Sequence, residues 1–514
     1  MLVRRGSTGV AVLAVWCALL MMVSSVAFAK PGDSGISTQA TVSVPADSWE
    51  SDDTSTTART LPKTSYHTLD SWTDTDWMKF SVSATGTPFV FETQITEGNA
   101  YFDLYMYLYK LEADGSLTEV ESSDDHSYWS AYSEFIQWEA SSPGTYFLEV
   151  TGYGDGETGM YTLHWDKGFA RRIAGADRYR TGVEISKLMY QMYHTYYDYG
   201  FYTSGVVITS GSSPADALAG GLLASSVDGP LLLSGPTGLS AETRAEISRI
   251  LRPAVYYDNS PLTIYILGGT VAVPSAVETQ LRAIPEVAAS LKEENLEIVR
   301  LSGANRYETA AMVAEAVDSV AGITDTAYIV GGTAWADGVA VGAPSVYMGS
   351  PVLLTAQGSL SPEAAQAIDD LGITSAYVIG GEAVVSSDVE DDLVDMLGAA
   401  NVDRLSGGSR YATAWAVAEH GVDLGLNADR MILVSGLNWP DALVAAPMVY
   451  QYGAGNGVYG PIMLTSPTSL SGEVKAFVED HGQPDSLCYV VGGTSAVSDT
   501  VLNQFNALRA SVPN

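Results

Sequence analysis

Cysteine, histidine and basic residues are all scarce in this 514-residue chain. It has two cysteines, Cys17 and Cys488, and six histidines. It carries 25 lysines and arginines against 60 aspartates and glutamates, for a formal net charge of −35. Each shortage excludes something. Phosphate backbones are bound through clustered basic surface, so nucleic acid is not an expected partner. The surplus of acid reads as a solubility device. None of His67, His126, His164, His194, His420 and His481 stands in a His-x-x-x-His or His-x-Glu spacing, which argues against a catalytic zinc. There is no Gly-x-Ser-x-Gly elbow, no Gly-x-Gly-x-x-Gly fingerprint, and no cysteine with a recognisable partner, so an enzyme is not expected. Long apolar runs are lacking too. Beyond the first 29 residues no stretch is long and apolar enough to cross a bilayer.

Those first 29 residues read as a signal peptide. Arg4 and Arg5 precede an apolar run from Val10 to Val23, and Ala27-Phe28-Ala29 supplies a small-residue cleavage site. The expectation is a secreted chain with no membrane contact after cleavage. Cys17 would be lost with the signal, leaving Cys488 alone and no internal disulfide, so the chain must be held by its cores. Residues 30–44 are rich in Ser, Thr and Gly and read as a flexible leader. Leu61-Pro62-Lys63-Thr64-Ser65 resembles a sortase signal. Such a signal belongs before a C-terminal apolar tail, and Arg509 to Asn514 supplies none, so retention at a surface is expected to be non-covalent.

From 45 to 167 the pattern is strand-like. Phe80-Ser81-Val82 and Phe89-Val90-Phe91 are short β-type runs, Tyr101 to Leu108 alternates aromatic and aliphatic residues, and turns rich in Gly and Asp separate the runs. This predicts a jelly-roll-like β-sandwich of roughly eight strands. Asp52, Asp53, Asp74, Asp76, Asp124 and Asp125 lie in its loops. Oxygen-rich loops suit calcium, and the same residues serve equally as solvated turn formers. No other cofactor is indicated.

What the chain does have, from residue 171 onward, is repetition. A ten-residue stretch is written three times, as RIAGADRYRT from Arg172, RLSGANRYET from Arg300 and RLSGGSRYAT from Arg404. Further landmarks follow in the same order each time. Asp216-Ala217, Asp337-Gly338 and Asp441-Ala442 open a helix. Runs led by Pro230, Pro351 and Pro461, centred on Leu232, Leu353 and Met463, are apolar strands. Gly268-Gly269, Gly380-Gly381 and Gly492-Gly493 end another strand. Short apolar strands alternating with amphipathic helices predict parallel sheet covered by helices. The three α/β repeats span 171–297, 298–401 and 402–514. The first is enlarged near Pro285 to Asn295 and by the aromatic run Tyr190 to Tyr202, which suits either packing or stacking on sugars. The aspartates read as helix caps. The double glycines read as tight turns at the repeat interface.

The Arg-x-x-Gly-x-x-Arg-Tyr-x-Thr stretch, the Asp-Ala-Leu helix start, the Pro-Leu-Leu-type strand and the Gly-Gly pair together resemble the cell-wall-binding repeat type 2 family of Gram-positive surface proteins. Asp74-Thr75-Asp76-Trp77-Met78-Lys79-Phe80, Gly144-Thr145-Tyr146 and Gly159-Met160-Tyr161-Thr162-Leu163 resemble the bacterial pre-peptidase C-terminal domain family. The first resemblance implies three copies packed as a pseudo-threefold unit on an anionic cell-wall polymer, and the second a non-catalytic accessory sandwich, some of whose relatives bind calcium. On the residues themselves, Arg178, Arg306 and Arg410, with Tyr179, Tyr307 and Tyr411, stand where a loop feeds a helix. An arginine beside free helix N–H groups would receive phosphate or carboxylate. Alternatively each arginine pairs with an acid of its own repeat. Asp216, Asp337, Asp441, Leu232, Leu353 and Met463 define the repeat and read as structural. The expectation is a secreted, non-catalytic wall-anchored protein. The other readings are an adhesin whose sandwich meets a host or matrix ligand, and an accessory to, or cryptic form of, a wall hydrolase.

Overall fold

A computed structural model describes residues 46–510, except 62–63, 72, 99–103, 124–133, 153–157, 194–202, 254–260, 334, 450–457, 459 and 483–486. The signal peptide, the leader, Asp124, Asp125 and the aromatic run beyond Tyr193 lie outside the described residues.

Among the described residues nine strands build the N-terminal sandwich, close to the roughly eight expected, the first being the two-residue edge β1 (Arg59–Thr60). One sheet runs β1, β3 (Thr75–Val82), β8 (Gly144–Gly152), β5 (Leu104–Leu111), β6 (Leu117–Ser123). The other runs β2 (Thr64–Leu69), β9 (Gly159–Lys167), β4 (Thr87–Gly98), β7 (Phe135–Ala140). Alternation decides the faces. In β5, Leu104, Met106 and Leu108 are buried while Tyr105, Tyr107 and Tyr109 are half-exposed. The inward residues of the two sheets, among them Met78, Phe91, Leu148 and Tyr161, form one closed core.

After β9 only Gly168 and Phe169 intervene before β10 (Ala170–Ile173), the first strand of the repeats. Each repeat then supplies three more strands: β11 (Gly205–Ser210), β12 (Leu231–Ser234) and β13 (Leu262–Leu267) in repeat 1. Repeat 2 opens with β14 (Leu296–Leu301) and continues with β15 (Thr326–Gly331), β16 (Val352–Thr355) and β17 (Ser375–Ile379). Repeat 3 opens with β18 (Val402–Leu405) and continues with β19 (Arg430–Ser435), β20 (Ile462–Thr465) and β21 (Leu487–Val491). The sheets are not confined to one repeat each. Their orders are β12-β11-β13-β14, β16-β15-β17-β18 and β10-β21-β19-β20, all parallel. The opening strand of each repeat completes the sheet of the repeat before it, and the opening strand of repeat 1 completes repeat 3. The result is a closed ring. A boundary at 297/298 therefore cuts through β14.

The opening helices, Arg178–Tyr193, Arg306–Ala321 and Arg410–Leu424, start where a side chain takes the first free amides. Asp177 accepts from Arg180 N at 2.9 Å, Asn305 from Tyr307 N at 2.9 Å, and Ser409 from Ala412 N at 3.2 Å. Each repeat has its own outer core, and all three share a central one that includes Leu222, Val346 and Val444. On the ring axis the equivalent positions Gly221, Gly342 and Ala446 converge. A Cβ added at either glycine would stand 2.7 Å from Ala446 Cβ. The Pro-led strands are fully buried, with Leu232, Leu353 and Met463 all at 0% exposure. These residues are core.

Candidate functional site

The ten-residue motif is a set of stitches between repeats. Its first arginine sits on an opening strand. Arg172, Arg300 and Arg404 each donate through Nη1, at 2.7 Å, to the carbonyl of Gly492, Gly268 or Gly380, the first glycine of the double-glycine turn in the preceding repeat. Each also meets an acid of that repeat: Asp499 at 3.2 Å, Glu278 at 2.8 Å and Glu390 at 2.7 Å. Those three glycines have φ between +95° and +110°, and an added Cβ at Gly268 would lie 2.5 Å from Asp216 Oδ2. Only glycine fits that turn. The motif glycine is equally constrained. At Gly175, Gly303 and Gly407 a Cβ would approach the helix within 2.4 Å, and each backbone N–H donates to the hydroxyl of Thr181, Thr309 or Thr413 at 3.2 Å.

The second arginine is the candidate binding group. Nη1 of Arg178 donates to the carbonyl of Gly211 at 2.8 Å, that of Arg410 to Gly436 at 2.7 Å, and that of Arg306 to Gly332 at 2.5 Å. Tyr179, Tyr307 and Tyr411 lie over the same glycines, where a Cβ would come within 2.7 Å of the ring. The guanidinium then reaches into the neighbouring repeat. Arg178 of repeat 1 stands 6.0 Å from the ring of Trp439 in repeat 3, and Arg410 of repeat 3 stands 5.6 Å from that of Trp335 in repeat 2. Burial pushes the Asp441 carboxyl above its ordinary range, partly offset by Thr181 and the charge of Arg178. Burial likewise raises Asp216, offset by Arg306. Arg178 and Arg306 thus face the aspartate of the preceding repeat, Asp441 and Asp216, and Arg410 faces that repeat through Trp335.

Two expectations need correction. Asp216, Asp337 and Asp441 are not helix caps. Asp337 and Asp441 lie within the first turns of Trp335–Gly338 and Trp439–Leu443, and Asp216 precedes Ala219, which caps Gly220–Ser226. They sit near the repeat junctions: a Cβ at Gly338 would meet Val330 of its own repeat at 2.6 Å and Leu218 of repeat 1 at 3.2 Å, leaving no room for the alanine found in the other copies. Nor are all the first-turn N–H groups beside the arginines free, because Asp177 takes that of Arg180, Asn305 those of Tyr307 and Glu308, and Ser409 that of Ala412. What remains is a guanidinium at the carboxyl ends of parallel strands, the edge where α/β sheets receive ligands. Trp335 and Trp439 escaped notice in the sequence. Their signal was a tryptophan two residues before the repeat aspartate in two copies, with Pro214 in the third.

A second cluster lies in the sandwich. Asp47, His67 and Asp76 bring one ligand atom each within 4.8 Å of one another, and so do Glu50, Asp70 and Asp74. Tyr161 donates to Asp76 at 2.6 Å, the N–H of Asp70 to Asp74 at 2.7 Å, and the N–H of Thr68 to Asp47 at 2.8 Å. Asp52 and Asp76 are 1% exposed. Burial pushes Asp52 up to about 7 and Asp74 to about 8, and nearby Asp76 adds to both. Among the described residues, Glu50 Oε1, Asp52 Oδ2 and His67 Nδ1 are buried without a hydrogen-bond partner. Crowded, partly orphaned carboxylates fit a hard cation. The sequence had singled out Asp52, Asp74 and Asp76; Asp47, Glu50, His67 and Asp70 come in through the fold. Asp53 is exposed.

Comparison with known proteins gives a consistent picture. The family model for Cell wall binding domain 2 (CWB2) matches residues 172–278, 300–390 and 404–502, and that for the Bacterial pre-peptidase C-terminal domain matches 74–152. The chain is 30% identical over 334 residues to N-acetylmuramoyl-L-alanine amidase LytC of Bacillus subtilis (strain 168), covering 65% of this chain and 57% of that protein. It is 25% identical over 348 residues to the Amidase enhancer of the same organism, covering 67% and 41%. The chain therefore spans about half the length of the curated relatives it matches. Among solved structures, Cwp8 from Clostridium difficile aligns with TM-score 0.52 and 25% identity over 67% of this chain and 52% of that one. Cwp6 from the same organism aligns with TM-score 0.55 and 19% identity over 85% and 68%, a likeness of fold.

Proposed function

The chain belongs to the Cell wall binding domain 2 family, and from that membership we propose that it is a secreted surface protein held non-covalently on a Gram-positive cell wall by its three-repeat ring. The observation that carries this reading is the recurrence, at the repeat junctions, of an exposed or half-buried guanidinium at the carboxyl edge of a parallel sheet. One donor of each is committed to a glycine carbonyl, and the planar fork otherwise suits phosphate or carboxylate. The ligand class is therefore an anionic wall polymer. Three weak, equivalent sites on one rigid ring give avidity along a repeating chain. Tyr179, Tyr307 and Tyr411 position the arginines by covering the glycines that accept from them.

The chain acts by binding and not by catalysis, and the sandwich is a non-catalytic module beside the anchor. A divalent cation, calcium where the donors are all carboxylates, is held by Glu50, Asp70 and Asp74, with Asp76 in the neighbouring group with Asp47 and His67, and it supplies positive charge that these acids lack. The decisive experiment is sedimentation of the purified protein with isolated Gram-positive walls, intact and chemically stripped of anionic polymers. Binding that vanishes on stripping supports the reading. Equal binding to stripped walls moves the target to peptidoglycan, and turnover of peptidoglycan by the purified protein overturns the non-catalytic assignment.

A further inference from the structure

The ring has one junction unlike the other two. Between repeats 1 and 2, and between 2 and 3, the completing strand β14 or β18 continues directly from the repeat whose sheet it joins. Between repeats 3 and 1 no such continuity exists. The completing strand β10 is four residues long and pairs Ala170 to Ile173 with Cys488 to Val491 from the far end of the chain. A short parallel strand pays a large loop-closure entropy for few hydrogen bonds. The sandwich supplies what continuity supplies elsewhere.

Its contacts converge on β10 and the two residues before it. The N–H of Gly168 donates to the carbonyl of Pro88 in β4 at 2.9 Å. Gly168 has φ +137°, and an added Cβ would lie 2.1 Å from Asn506 of the last helix, Asp499–Arg509. Asn506 Oδ1 accepts from Phe169 N at 2.8 Å. The Phe169 ring enters the outer core of repeat 3 and stands 5.2 Å from the Arg509 guanidinium. Glu92 of β4 forms an ion pair with Arg171 of β10, and both residues are buried, at 7% and 5% exposure. Asp166 of β9 accepts from Arg172 N at 3.2 Å. Val90, also on β4, belongs to the central core of the ring.

We propose that the sandwich is the latch of the ring: the Gly168–Phe169 turn and the Glu92–Arg171 pair hold β10 in the sheet of repeat 3, and closure at this seam depends on the docked sandwich. The seam carries its own reporter. Cys488 pairs directly with Ala170, is 0% exposed, and shares a core with Phe169 and Ala170. Burial pushes its thiol far up, so it reacts only when that sheet opens.

The test uses the full chain with Cys17→Ser, leaving Cys488 as the one thiol, and follows its labelling by dithionitrobenzoate under native conditions. Glu92→Gln leaves Arg171 buried without a counter-charge, a strongly destabilising change, and should speed labelling at least about tenfold. Asn506→Ala, which removes the acceptor for Phe169 N, should speed it in the same direction and serves if the first variant does not fold. Glu390→Gln, at the covalently continuous junction between repeats 2 and 3, should leave the rate nearly unchanged. Hydrogen exchange should quicken over Ala170–Ile173 and Leu487–Val491 and not over β15 to β17. Unchanged labelling in both seam variants would overturn the proposal. So would faster exchange spread evenly over all three sheets, which would mean general destabilisation and no latch.

Discussion

Replacing Gly221 by alanine tests the ring axis. The substitution has two opposed consequences. Gly221 lies within the helix Gly220–Ser226, where alanine in place of glycine is worth roughly 0.8–1 kcal/mol in helix propensity. Its new Cβ, however, would sit 2.7 Å from Ala446 Cβ, far inside carbon–carbon contact. Repacking around such an overlap in a dense core costs about 1–3 kcal/mol. The net effect expected in urea denaturation is a loss of about 0–2 kcal/mol, which alone is a weak discriminator. The informative quantity is the coupling. Ala446→Gly removes the methyl that is struck, so Gly221→Ala combined with Ala446→Gly should recover most of the clash, giving an interaction energy of about 1 kcal/mol or more. Gly342→Ala meets the same methyl at the same 2.7 Å and should couple to Ala446→Gly in the same way. If Gly221→Ala stabilises the protein by its full helix propensity and the two changes simply add, the three positions do not meet on an axis and the ring geometry is refuted.

Replacing Arg178, Arg306 and Arg410 together by glutamine should reduce wall sedimentation at least about tenfold while single replacements cost less, as expected of avidity; equal binding by the triple variant would remove the arginines from the site. Chelation by EDTA should lower the unfolding temperature of the sandwich and calcium restore it, with a calorimetric binding signal lost in Asp74→Asn; no heat and no shift would show that the cluster holds no cation. His164 is pushed down to about 3 by burial, and then by Arg171 and Lys187. The unfolded chain takes up a proton below about 6.5 while the folded chain does not, so this group erodes stability by up to about 1.4 kcal/mol per pH unit as pH falls from 6.5 toward 3. His164→Gln should therefore gain on the parent steadily between pH 6.5 and 4, and a pH-independent difference would contradict that.

Much of the fold was legible because its signals are local. The strand and helix order of repeat 2 follows from apolar runs four to six residues long between amphipathic stretches, and the inward set of β5 from strict alternation. The ring closure was not legible. Pairing of Ala170 with Cys488 joins the two ends of the repeat array, and nothing in either tetrapeptide names the other. The same limit governed the site. Recurrence identified Arg178, Arg306 and Arg410 as special, yet beyond the glycine carbonyl of its own repeat each faces a tryptophan or aspartate of a neighbouring one, so a reading within one copy assigned the aspartates to caps and the helix amides to a ligand. The cation cluster shows it again. Asp74 and Asp76 stand out in the sequence, whereas Asp47 and His67 join Asp76 only once β2 lies beside β9 and Tyr161 bridges to Asp76, and Glu50 and Asp70 join Asp74 through the fold.

The exchange of opening strands bears on how such an array can be inherited. Tandem copies in a gene are lost and gained by unequal recombination, and in an open solenoid a copy more or less is tolerated because each unit leans only on its neighbours. Here every sheet borrows its last strand from the next repeat, and the last repeat borrows from the first. Deleting one copy leaves two sheets that cannot complete each other around an axis, and adding a fourth would draw Gly221, Gly342 and Ala446 apart. Number is therefore fixed by closure. The three copies are free to diverge in sequence, as Pro214 against Trp335 and Trp439 shows, but they must be passed on as a single indivisible unit.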